Sequence, residues 1–125
     1  MADFDSLVAE ADGARDRGDW TTAAAGYRAA LALDAGAGPI WVQLGHMLKE
    51  AGHFEAAGKA YREALERMPL DADLHLQMGH FLRRIGRRRD AAAYYEQATA
   101  LDPGLGEAAR HFAELVDELV GEANR

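Results

Sequence analysis

Asp12, His46, His80 and Glu114 stand 34 residues apart in turn, and each is a residue type that can ligate a divalent metal. Zinc needs three or four such groups converging at about 2 Å. Helices that pack side by side have axes about 8–10 Å apart. Two neighbours in this column could meet, but four spread over successive repeats could not. No metal site is expected from the column, and no cofactor. Cysteine is absent, which removes thiolate ligands, disulfides and cysteine nucleophiles. His53 and His75 read as a turn residue and a packing residue.

A second pattern surrounds the two column histidines. Val42-Gln43-Leu44-Gly45-His46 aligns with Leu76-Gln77-Met78-Gly79-His80. Leu-Gly and Met-Gly sit where packing wants small and apolar residues. Gln and His lie off that stripe. An amide and a neutral imidazole each offer a donor and an acceptor, so a stacked pair of each could hold a peptide backbone. Duplication of one ancestral unit would produce the same match.

Arg83, Arg84, Arg87, Arg88 and Arg89 form the densest charge cluster on a chain of net charge −7. It covers a helix end and the turn after it. Arginines near a helix C-terminus are favoured by the helix dipole even when they bind nothing. As a site, the cluster would attract a carboxylate-rich peptide, a phosphate, or the acidic last helix of a second copy. No aromatic residue is interleaved for base stacking, and the net charge opposes non-specific nucleic-acid binding, so nucleic acid is disfavoured as a partner. No nucleophile–base pair, phosphate loop or paired-carboxylate site stands out, and no enzymatic activity is expected.

These residues are positioned by a repeat. Gly18, Gly52 and Gly86, then Ala23, Ala57 and Ala91, then Tyr27, Tyr61 and Tyr95, then Ala30, Ala64 and Ala98, all keep the 34-residue step. Such a period with helix–turn–helix units indicates a solenoid. The glycine should end the first helix with a positive φ. The first alanine should lie where the paired helices cross, the tyrosine between neighbouring repeats, and the second alanine where the next repeat approaches. Apolar spacing predicts helices from Phe4 to about Arg17, Trp20 to Leu33, about Ile40 to Ala51, Phe54 to Arg67, about Ala72 to Ile85, and about Arg88 to Leu101. Residues 1–3 and 121–125 should be loose. Pro39 pre-sets a helix start, and Asp102-Pro103-Gly104 is a stop and turn.

The chain resembles the tetratricopeptide repeat family over nearly its whole length. Trp41, Leu44-Gly45, Leu48, Ala57, Tyr61, Ala64 and Pro69 carry the family pattern in the central repeat. Met78-Gly79, Leu82, Ala91, Tyr95, Ala98 and Pro103 carry it in the third, with His75 in place of Trp. The first repeat matches through Ala23, Tyr27 and Ala30, while its first helix departs, with Leu7, Glu10-Ala11 and Ala14 at the motif positions. Glu10 at an apolar position suggests an exposed end. The resemblance implies an all-α, right-handed solenoid of seven helices in one domain, with repeats at 4–37, 38–71 and 72–105 and a capping helix at 106–121. Ala109, Phe112, Ala113, Val116, Leu119 and Val120 form the cap's apolar stripe, with a charged face opposite. The alternative to the cap is half of a fourth repeat.

In this family the first helices line a concave groove that holds an extended or helical peptide. Its residues here would be Val42, Gln43, His46 and Lys49 with Leu76, Gln77, His80, Arg83 and Arg84, Val42 and Leu76 forming an apolar floor. Arg87, Arg88 and Arg89 form a basic patch beside them. Some members grip a C-terminal carboxylate with Lys and Asn; Val8, Asp12 and Gln43 occupy those positions here, so that clamp is missing. The resemblance thus implies a scaffold for a protein or peptide partner with acidic character. The alternatives are a self-assembling, homo-oligomeric repeat module, or the N-terminal targeting domain of a larger bacterial enzyme such as a glycosyltransferase. Abundant alanine and arginine with scarce lysine suggest a GC-rich coding genome. The acidic start lacks a basic and an apolar signal region, and no run reaches membrane-spanning length; a cytoplasmic location and no membrane insertion are expected.

Overall fold

The structure is a computed structural model that describes residues 2–125. Among the described residues it contains seven α-helices and no strand. The helices group into two compact units, 1–69 and 70–125. In the first, α1 (Phe4–Asp16) pairs with α2 (Trp20–Leu33), and α3 (Gly38–Glu50) with α4 (Phe54–Arg67). In the second, α5 (Ala72–Arg84) pairs with α6 (Arg88–Leu101), and α7 (Gly106–Ala123) packs on α6.

The helix starts follow from capping chemistry. Asp3, Asp19 and Asp71 each accept a hydrogen bond from the backbone N–H three residues on, at Ser6, Thr22 and Leu74. This satisfies one of the orphan donors of a first turn. Asp3 is therefore ordered rather than loose; Ala2 lies exposed ahead of the helix, and Met1 falls outside the described residues. α3 begins at Gly38, two residues before the expected Ile40, with Pro39 in its first turn. Gly38 is buried there, and a Cβ on it would lie 2.9 Å from the Met68 side chain.

Each first helix ends in the same way. Gly18, Gly52 and Gly86 have φ of 74°, 85° and 86°, and they are the described residues with positive φ. The next amide then donates back to a carbonyl five residues earlier: Asp19 to Ala14, His53 to Leu48, and Arg87 to Leu82, at 2.8–2.9 Å. A left-handed glycine followed by this long-range bond is the Schellman stop. α7 continues to Ala123, past the point where fraying was expected at Gly121.

The periodic alanines and tyrosines are all fully buried. The tyrosines do not serve only as spacers between repeats, as the sequence suggested. Each ring lies against its own repeat: a Cβ on Gly45 would sit 2.8 Å from the Tyr61 ring, and one on Gly79 2.6 Å from the Tyr95 ring. The first repeat has Ala11 at that position. The relief moves across the helix pair to Gly26, where a Cβ would lie 2.8 Å from that of Ala11. Glu10 is exposed, as its place on a terminal repeat implies.

α7 is rotated from its expected orientation. Ala108 and Leu115 are its buried residues, whereas Ala109, Ala113 and Val120 of the expected stripe are exposed. Phe112, Val116 and Leu119 of that stripe are half-buried. The buried face therefore overlaps the expected one and is turned towards Ala108, His111 and Leu115, the side that packs on α6.

Candidate functional site

The repeat tyrosines organise the polar residues around them. Tyr27 Oη donates to Asp12 Oδ1 at 2.6 Å. Tyr61 Oη lies 2.7 Å from His46 Nδ1, and Tyr95 Oη 2.8 Å from His80 Nδ1. In every case the partner precedes the tyrosine by 15 residues. A buried hydroxyl needs such a partner. The recurrence of Asp12, His46 and His80 therefore has a packing cause. The paired imidazoles meet their tyrosines edge-on, with centroids 5.5 Å apart for His46 and 5.4 Å for His80.

In the first unit, this arrangement extends along α1 and α3. Arg15 reaches Asp12 at 3.3 Å, Tyr27 Oη at 3.3 Å and Gln43 Oε1 at 3.2 Å. Gln43 is thus held by a cation from the preceding repeat, a contact the sequence reading missed. Burial, and then the hydrogen bond to Asp12, push the Tyr27 phenol up to about 12. Val42, Gln43, His46 and Lys49 remain half-buried. Lys49 Nζ lies 3.7 Å from Glu50 Oε1.

In the second unit, α5 and α7 face each other through titratable side chains. His80 Nε2 is 3.5 Å from Glu107 Oε1, and His111 Nε2 is 3.6 Å from the same oxygen. The two imidazoles meet edge-on at 4.7 Å, and His111 stacks on Tyr95 at 5.5 Å. Burial, then the neighbouring His111, hold the His80 imidazole below its ordinary value, with Glu107 pulling the other way. Gln77 is half-buried and Arg84 exposed. Leu76 is 2 % exposed, so it belongs to the core and cannot form the floor of a groove.

The basic cluster is answered within the chain. Arg83 meets Glu118 at 2.6 Å, and Arg88 pairs with Glu122 and approaches Glu118. Arg87 bonds Asp90 at 2.6 Å, while Arg89 is exposed. The acidic last helix of a second copy was one expected partner for these arginines; α7 of the same chain occupies that role for Arg83 and Arg88. Glu118 follows Arg83 by 35 residues and Glu122 follows Arg88 by 34. Charge complementarity one period apart was the signal that could have found them.

Tetratricopeptide repeat models match residues 38–69 and 74–109, the segments with the glycine stops and paired tyrosines described above. The chain belongs to the tetratricopeptide repeat family. Solved structures agree on the fold. The Arabidopsis OM64 TPR domain is 19% identical with a TM-score of 0.79, over 90% of this chain and 93% of that one. The first TPR of Spaghetti (RPAP3), bound to the HSP90 peptide SRMEEVD, is 14% identical with a TM-score of 0.84, over 94% and 93%. The Yersinia enterocolitica type III secretion chaperone SycD, in complex with a peptide of the translocator YopD, is 16% identical with a TM-score of 0.81, over 95% and 93%. No curated protein sequence matches this tetratricopeptide repeat chain. No helix is long and apolar enough to cross a membrane, among the described residues.

Proposed function

We propose that this repeat protein is an interaction scaffold that receives a peptide segment of a partner on the exposed faces of its first helices. The observation that carries the reading is the way those faces are built. Half-buried donors and acceptors on α1, α3 and α5 are fixed by buried tyrosines and by the Arg15–Gln43 bond. Groups held in place before binding lose less freedom when a ligand arrives. Two proteins of the same fold, Spaghetti and SycD, hold peptides, which supports the same use here.

The residues that offer contacts are Val42, Gln43, His46 and Lys49 in the first unit and Gln77, His80 and Arg84 in the second. Val8 and Asp12 supply no cation for a terminal carboxylate, so recognition falls on backbone amides and polar side chains along the peptide. Acidic character in the partner rests on the exposed Arg89, because Arg83 and Arg88 are engaged by α7.

An array of immobilised peptides probed with the purified chain, followed by titration of the best binders, tests this. The Gln43→Ala, Gln77→Ala double variant should keep the helical spectrum and weaken peptide affinity by about 1–3 kcal/mol, the cost of leaving buried hydrogen-bonding groups unpaired. Unchanged affinity in that variant would move the site elsewhere. Concentration-dependent light scattering without any peptide binder would replace the scaffold reading with self-assembly.

A further inference from the structure

The closest grouping of metal-ligating side chains among the described residues is His80, Glu107 and His111. One ligand atom from each lies within 4.8 Å of the others. Of the three, His80 belongs to the 34-residue column and Glu107 and His111 do not. His80 stands on α5, and Glu107 and His111 share one face of α7, four residues apart. The α5–α7 approach brings them together, and the rotation of α7 described above turns His111 inward.

We propose that His80 Nε2, Glu107 Oε1 and His111 Nε2 form a binding site for a zinc-class divalent transition metal ion. Zinc bonds of about 2.0–2.1 Å in a tetrahedron place neighbouring ligand atoms about 3.3–3.4 Å apart. Glu107 Oε1 stands 3.5 Å from His80 Nε2 and 3.6 Å from His111 Nε2, a small contraction away from that spacing, and the three ligand groups offer atoms within 4.8 Å of one another. Two imidazoles with one carboxylate are borderline ligands that suit zinc, cobalt or nickel better than the all-oxygen preference of magnesium or calcium. Three protein ligands leave a fourth position for water or an incoming side chain.

The groups around the site fit this use. His80 Nδ1 lies 2.8 Å from Tyr95 Oη, so the tautomer that donates there presents a lone pair at Nε2. Metal-bound histidines generally make such a bond through their other nitrogen. His111 Nδ1 is buried, makes no hydrogen bond, and lies 3.7 Å from Glu114 Oε2. Glu114 is 52% exposed at its side chain and can close that gap. Arg83, the nearby cation, is paired with Glu118 at 2.6 Å, which limits its repulsion of a bound ion. The side chains of His80 and Glu107 are 33% and 49% exposed, giving an ion a route in from solvent.

The test is calorimetric titration of the untagged full chain with zinc chloride, with magnesium chloride as the comparison. One zinc per chain should bind, raise the melting temperature with increasing ion concentration, and have no magnesium counterpart. Cobalt at the site should give the visible absorption of a four-coordinate centre. Glu107→Gln is exposed and should fold normally; it should weaken zinc binding at least tenfold, as should His111→Ala. His53→Ala, at an exposed turn, should bind as the parent does. Absence of zinc binding at millimolar concentration, or undiminished affinity in Glu107→Gln, would overturn the site. A helical spectrum recorded for each variant separates lost binding from lost folding, and Glu107→Gln decides the matter if His111→Ala does not fold.

Discussion

The hydroxyl of Tyr27 donates to the carboxylate of Asp12 at 2.6 Å, and the same tyrosine is buried to 0 % exposure. Its counterparts Tyr61 and Tyr95 meet His46 and His80 in the same geometry. One device, a buried phenol with a polar partner on the preceding helix, thus occurs three times with two chemistries.

Removing the partner should therefore cost more than removing both. Asp12→Ala strands the phenol's proton and should destabilise the protein by about 1–3 kcal/mol, whereas Tyr27→Phe added to it should recover much of that loss. Asp12→His, which copies the other two repeats, should be tolerated better than Asp12→Ala. Urea unfolding of the parent and these three variants measures this; equal losses for the single and double variants would mean that the bond contributes nothing.

Alkaline unfolding should begin at Tyr27. Its folded pKa stands at about 12 against an ordinary 10.0, so folding favours the neutral phenol. The associated stability is present in full below about pH 10 and is lost as pH rises towards about 12, by about 2–3 kcal/mol in all. Stability measured across that window should fall less steeply in Tyr27→Phe than in the parent. A parallel course in both proteins would contradict the raised value.

Glycines of different environment should respond in opposite directions to alanine. Gly79→Ala places a methyl group 2.6 Å from the Tyr95 ring and should cost about 1–3 kcal/mol by overpacking. Gly121 lies within α7, and its Cβ would meet nothing within 4 Å. Gly121→Ala should stabilise by about 0.5–1 kcal/mol, from helix propensity. Thermal melts of the two variants give the comparison, and a shift of the same sign in both would undo the argument.

The orientation of α7 separates two apolar truncations. Leu115 is 0 % exposed and Val120 is 54% exposed. Leu115→Ala should cost about 2–5 kcal/mol, and Val120→Ala should stay within about 0.5 kcal/mol. Deleting 106–125 should remove Leu115, the Glu118 and Glu122 partners of the arginines, and the stability of the second unit with them. Denaturation curves showing Val120 as the costlier loss would restore the orientation read from sequence.

Sequence alone determined the elements of this protein. The 34-residue step of glycine, alanine and tyrosine placed the helices to within two residues at nearly every end, because positive-φ glycines, aspartate caps and apolar stripes act over one or two turns. It also separated the first repeat from the other two, through Glu10 and Ala11. The meaning of the polar residues was decided by tertiary structure. His46 and His80 looked like spare donors until their tyrosines came within hydrogen-bonding reach, and Leu76 looked accessible until it was buried. The arginine cluster looked like an open site until α7 brought Glu118 and Glu122 against it. On α7 the buried face keeps Phe112, Val116 and Leu119 of the sequence stripe but is centred on Ala108 and Leu115, a turn of the helix that its period alone does not fix. Packing on α6 sets it, and His111 turns inward beside His80 and Glu107 as a result.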